Sequence, residues 1–165
     1  MGLLRAGANP ERGEVLGMGA LASGTPGGMA AGAAYDDATI LAELLKAGGN
    51  PNDGFSVFLG WAADSPLSIA AARGNARVVS HLLQAGAAPD LGQSFRYGSR
   101  KASPLSVAAK NGHAGICRAL LAAGASVEAA GGEALLGLVR RRGALAEEGG
   151  RRSYEEVALL LTELL

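Results

Sequence analysis

The chain holds one cysteine, Cys117, among 165 residues, so no intrachain disulfide framework is possible. Histidine is almost as scarce. His81 and His113 fall in different parts of the chain, so with Cys117 they give no convergent ligand set, and no metal or cofactor is expected. Aromatic residues number seven (one Trp, three Tyr, three Phe), too few for a bulky core. The apolar content is high but rich in alanine, which suits helices packed at close range. Formal net charge is zero, so no global field recruits nucleic acid or an anionic membrane. Long apolar runs are missing too. Residues 15–35 carry no charge, yet they include six glycines and Pro26 and lack the large aliphatic side chains of a bilayer span. The start, MGLLRAGANPERGE, has no hydrophobic signal core, and Glu11 and Glu14 argue against a transit peptide. Ala6 stands where a myristoylation pattern needs Ser or Thr. An intracellular, cytoplasmic protein without a membrane anchor is expected, with the nucleus left open.

What the chain does have is glycine, 26 of them, and a pattern that uses it. The stretch Ser65 to Asp90 reads SPLSIAAARGNARVVSHLLQAGAAPD. Ser65 is suited to cap a helix and Pro66 to occupy its first position, where a missing N–H costs nothing. Leu67, Ala70 and Ala71 then share one face. Gly74 breaks the helix, and Asn75 is placed to cap a second one, whose inner face is Val78, Val79, Leu82 and Leu83. Gly86 ends that helix and Pro89 prevents resumption. Such a hairpin is too slight to bury a core by itself.

The pattern recurs. Ser103 to Glu128 reads SPLSVAAKNGHAGICRALLAAGASVE, at an offset of 38 residues without a gap. Pro66 matches Pro104, Gly74 matches Gly112, Leu82 matches Leu120 and Gly86 matches Gly124. One further step back reaches Leu44-Leu45, Gly48 and Pro51. A fixed period of this size is the signature of a stacked solenoid.

The motif (S/T)-P-L-x-x-A-A-x-x-G-x-x-x-x-x-x-x-L-L-x-x-G-A resembles the ankyrin repeat, clearly over Ser65–Glu128 and fairly over Thr25–Asn52. Ser68 and Ser106 stand where that family usually has His. The family's period is about 33. The additional residues lie between Gly48 and Pro66 and between Gly86 and Pro104, where the resemblance implies a hairpin finger. It also implies an all-α, ankyrin-repeat solenoid of stacked helix hairpins with long β-hairpin-like fingers. One array would span 1–165: a partial repeat at 1–10 (LLRAGANP), repeats at 25–52, 65–90 and 103–128, and a C-terminal capping helix pair at 131–165. Within that pair, helix Glu133–Arg142, a loop from Gly143 to Arg152, and a capping box at Ser153–Glu156 are expected. Asp36 or Asp37 should cap the helix Ala38–Lys46, with Ile40, Leu41, Leu44 and Leu45 inward.

Several constellations invite a chemical reading. His113 and Cys117 are four apart on one helix, as a thiolate–imidazole pair would be. Yet Cys117 aligns with the packing residue Val79, and no third group orients the imidazole. Gly17 to Ala22 fits G-x-G-x-x-A without the strand and βαβ setting a dinucleotide site needs. Arg140-Arg141-Arg142 suits a solvated terminal helix. No catalytic residue is assigned, and no enzyme or small-molecule substrate is expected.

The informative feature is the location of the rings. Phe55, Phe58, Trp61, Phe95 and Tyr97, five of the seven aromatics, lie in the two insertions. Arg96, Arg100 and Lys101 accompany them, and Arg73, Lys110 and Asn111 sit at nearby helix ends. Residues 65–127 hold seven basic side chains and one acidic, between acidic flanks. A protein–protein interaction module or scaffold is expected, binding an extended or acidic protein segment through these residues as a monomer. The alternative is nucleic-acid or anionic-ligand binding through the basic middle, Arg73 to Arg118.

Overall fold

The computed structural model describes residues 38–46, 48–52, 55–56, 62–92, 94–95 and 102–165. The partial repeat at 1–10, the helix start at 25–31, the caps Asp36 and Asp37, and the glycine motif at 17–22 lie outside them. In chain order the elements are helix α1 (Ala38–Lys46), strands β1 (Phe55–Ser56) and β2 (Ala62–Asp64), helices α2 (Pro66–Arg73) and α3 (Ala76–Gln84), strand β3 (Ser94–Phe95), and helices α4 (Pro104–Lys110), α5 (Ala114–Ala122), α6 (Val127–Ala130), α7 (Gly132–Leu145) and α8 (Glu148–Thr162).

The helices form two rows. α2, α4 and α7 pack side by side in one; α1, α3, α5 and α8 pack in the other. Each hairpin therefore buries its inner face against both its own partner and its neighbours. Leu67, Leu82, Leu105 and Leu120 are fully buried, with Ala70, Ala71, Ala108 and Ala109 between them. Alanine at these positions lets the first-row helices approach closely, which is why so few rings are needed.

Local chemistry sets the ends. Ser65 Oγ accepts from the Ser68 N–H at 3.1 Å and Ser103 Oγ from the Ser106 N–H at 3.2 Å, with Pro66 and Pro104 at the first helical position. Gly86 and Gly124 take φ of 86° and 89° and close the second helices as expected. Gly74 is left-handed too, at φ 80°. Asn75 occupies the N-cap position of α3 but makes no side-chain cap; its Nδ2 is buried without a hydrogen-bond partner.

Hydrogen bonds brace one repeat to the next. The Ala88 N–H donates to Asn52 Oδ1 at 2.8 Å, and the Ser126 N–H donates to Asp90 Oδ1 at 3.0 Å. Donors and acceptors are both 38 apart, so this is one contact used twice. Ser65 Oγ also donates to the Leu91 carbonyl at 2.5 Å, so a hydroxyl does tie this turn to the following segment.

The last helix pair departs from the sequence reading. The expected loop from Gly143 to Arg152 is mostly helix: α7 runs on to Leu145 and α8 begins at Glu148, leaving only Ala146 and Glu147 as the joint. Ser153 to Glu156 is therefore helix interior and not a capping box. Gly149 and Gly150 disfavour helix by about 1 kcal/mol each, yet α8 packs along α7 and α5, and burial of Val157 and Leu161 outweighs that cost.

Three short strands accompany the helices. β2 pairs antiparallel with β1 (Phe55↔Asp64, Ser56↔Ala63) on one side and with β3 (Ala62↔Phe95, Ala63↔Ser94) on the other. Residues 57–61 and 96–101, where the finger tips are expected, lie outside the described residues.

Candidate functional site

The three strands sit at the N-terminal end of the first-row helices, since β2 ends at Asp64 and α2 begins at Pro66. Because β2 is hydrogen-bonded to both neighbours, the two insertions share one backbone ladder. Phe55 and Phe95 stand in that ladder, known by backbone alone. Phe58, Trp61, Arg96, Tyr97, Arg100 and Lys101 lie outside the described residues.

Arg73, Lys110 and Asn111 are at the other end. Arg73 and Lys110 are the last residues of α2 and α4, and Asn111 caps α4. An eight-residue helix spans about 12 Å, and that length separates them from the strands. The sequence grouped these residues with the rings; in the fold they stand at the opposite edge of the first row from the strands that carry Phe55 and Phe95. Asn111 Nδ2 donates to the Ala72 carbonyl at 3.0 Å, which braces the turns of consecutive repeats. Arg73 is exposed and Lys110 half-buried.

Two contacts at this turn edge were not legible in the sequence. Arg142 Nη1 and Tyr154 Oη both donate to the Lys110 carbonyl, at 2.6 and 3.2 Å. They cap the C-terminal end of α4, where the last carbonyls lack intrahelical partners. Rings also cover the two left-handed glycines between the helices of a pair, Gly74 and Gly112. A Cβ built on Gly74 would meet His113 Cε1 at 2.8 Å, and one on Gly112 would meet Tyr154 Cζ at 3.1 Å. Tyr154 thus does for the last pair what His113 does one repeat earlier. Gly74 and Gly112 are 38 apart, but His113 and Tyr154 are 41 apart, so the fixed period hides the second ring.

His113 and Cys117 do not form a reactive pair. The imidazole lies over Gly74, while Cys117 is fully buried among apolar side chains. Desolvation by burial pushes the thiol up to about 12, its backbone hydrogen bond acting the other way. A thiol held protonated at neutral pH is a poor nucleophile. Among the described residues no group of three or more His, Cys, Asp or Glu is placed to hold a metal ion. Nor is any described helix long and apolar enough to cross a membrane. The grooves among the described residues are open. One of about 190 Å3 runs between α4 and α7, lined by Ala102, Ser106, Lys110, Ala134, Leu135 and Leu138.

The family model described as ankyrin repeats, in three copies, matches residues 29–130, more than half of the chain. The chain belongs to the ankyrin repeat family. No curated protein matches it. Ankyrin repeats are in general protein–protein interaction modules, and the family is typically non-enzymatic. The matched range runs from the segment before α1 to α6 and stops short of α7 and α8. Those two helices nevertheless stack as a further pair, α7 on α4 and α8 on α5. They are longer than the ankyrin helices before them, with 14 and 15 residues against 7 and 9 in α4 and α5.

Proposed function

We propose that this ankyrin repeat protein grips an extended, acidic segment of a partner protein through two long fingers and the adjoining concave face. The observation that carries the proposal is the shared ladder of β1, β2 and β3. Strands hydrogen-bonded to one another start both insertions from a common base, which favours one combined wall over two separate loops. Aromatic and arginine side chains are the types enriched at binding hot spots, and Phe58, Trp61, Tyr97 and Arg100 fall in these insertions. A shallow concave row suits an extended chain better than a small substrate. The anionic-ligand alternative is weakened because Arg118, within the basic middle, is ion-paired with Glu156. The proposal extends to a monomeric scaffold or adaptor in the cytoplasm.

The test uses a partner captured by the intact chain and lost when both insertions are shortened. Trp61→Ala and Tyr97→Ala should each weaken that binding by about 2 kcal/mol or more if central. Arg100→Glu should slow association, with the effect fading as salt screens the charge. A Trp61→Ala variant that binds normally would refute the finger wall.

A further inference from the structure

Among the described residues, basic side chains without ion pairs gather at one edge of the array, and acidic ones line a groove at the other. The strand-side edge carries Asp90, Glu128 and Glu133, which line one open groove. The opposite edge, where the first helix of each pair turns into the second, carries Arg73, Arg77, Lys110, Arg142, Arg151 and Arg152. None of these six is ion-paired: among the described residues the ion pairs are Lys46–Glu43 and Arg118–Glu156. All but the half-buried Lys110 are exposed. A sequence view cannot separate the edges, because the two sets alternate along the chain.

The edge has a shape as well as a charge. Arg142 reaches the Lys110 carbonyl, and Gly143 lies against the Tyr154 side chain, so these residues stand level with the turn after α4. The end of α7 and the start of α8 continue past that level as an overhang. Its apex is Leu145, 88% exposed, and Arg151 and Arg152 belong to it. Packed helices lie about 8–10 Å apart, so the ends of α2, α4 and α7, which carry Arg73, Lys110 and Arg142, follow one another at about that step. Seven residues of an α-helix advance about 10.5 Å, which brings a side chain back to nearly the same face.

We propose that this turn edge is a second docking surface, separate from the fingers, and that it fits an acidic helix of a partner protein. That helix would lie across the turns with carboxylates at seven-residue spacing and an apolar residue against Leu145. Glu147, Glu148 and Glu155 stand among the arginines of the overhang. A uniform polyanion such as a nucleic-acid backbone or an anionic bilayer would be repelled there, whereas a protein helix can carry a matching charge pattern. Single-stranded nucleic acid also needs rings to stack on. Among the described residues the two rings at this edge are engaged elsewhere, His113 over Gly74 and Tyr154 on the Lys110 carbonyl. Leu145 asks for an apolar contact that phosphates do not supply.

The test is a fluorescence titration of the full chain at low salt. The probe is a synthetic three-heptad helical peptide, with glutamates in i, i+4 pairs repeated every seven residues and, at the end that meets the overhang, leucine with lysines to face Glu147, Glu148 and Glu155. Its glutamine counterpart should bind at least tenfold more weakly. The double variant Arg73→Glu/Arg151→Glu, both at exposed positions, should lose at least tenfold affinity while keeping its helical circular dichroism. Lys46→Glu, outside the edge, should bind as the unaltered chain does. Trp61→Ala should also bind the peptide normally, whatever it does to the finger partner, so the two readings fail separately. Equal binding of the glutamine peptide, no binding of either, or an unaffected double variant would overturn the inference. So would tighter binding of a uridine 20-mer or of phosphatidylserine vesicles. Loss of the peptide on Trp61→Ala would move the contact to the fingers.

Discussion

Gly74 and Gly86 have nearly the same backbone, φ 80° and 86°, but different surroundings. A Cβ on Gly86 meets nothing within 4 Å, whereas one on Gly74 comes within 2.8 Å of His113 Cε1 and 3.1 Å of Nε2. Gly86→Ala should therefore cost only the left-handed conformation, about 1–2 kcal/mol. Gly74→Ala bears the same cost and must also push the imidazole off its seat, adding about 1–3 kcal/mol as overpacking does. A short array with about 5–15 kcal/mol of stability would feel the difference. Urea unfolding followed by circular dichroism reads it. With a slope of about 1–3 kcal/mol per molar urea, the Gly74 variant should melt at a midpoint lower by several tenths of a molar or more than the Gly86 variant. Adding His113→Ala to each variant closes the cycle. Truncation of the ring should return part of the loss in the Gly74 background and none in the Gly86 background. If both alanine variants unfold at the same midpoint, the ring does not lie over Gly74, and the account of how successive turns are covered is wrong.

Three further outcomes follow from the same coordinates. Leu82→Ala, at a fully buried position between repeats, should cost about 2–5 kcal/mol, while Leu159→Ala, 65% exposed, should stay within about 0.5 kcal/mol in the same urea assay; an unmoved Leu82→Ala midpoint would refute the repeat register. Asp90→Ala removes the acceptor of the Ser126 N–H and should cost about 1–2 kcal/mol, seen as faster amide exchange at Ser126, which no change in exchange would contradict. The Cys117 thiol is raised from 9.0 to about 12, so its contribution to stability is whole below pH 9 and is lost as pH rises from there toward 12, because the unfolded chain releases the proton first. Cys117→Val should flatten the pH profile in that window by up to about 1.4 kcal/mol per unit, and identical profiles for the two proteins would exclude this coupling.

The helix pairs were legible because their signals are local and repeated. Ser-Pro at a helix start, Gly at its stop and paired leucines between them all concern residues within one turn of each other. A period of 38 then identified which faces must meet, and the burial of Leu82 and Leu120 follows from it. The joint in the last pair was not legible, since Gly149 and Gly150 look like a loop until α5 and α7 are there to pack against. That Arg73, Lys110 and Asn111 stand at the edge away from the strands was hidden for a related reason: nearness in repeat register does not say which end of a helix a residue occupies. Side-chain size and backbone freedom at fixed spacing are enough to place the repeat, its turns and the positions that face inward. The ring of Tyr154 over Gly112, the Arg142 cap on α4 and the gathering of basic side chains without ion pairs at the turn edge come from the stacking alone. Those depend on where stacked helices bring distant residues, and no local rule of spacing contains that distance.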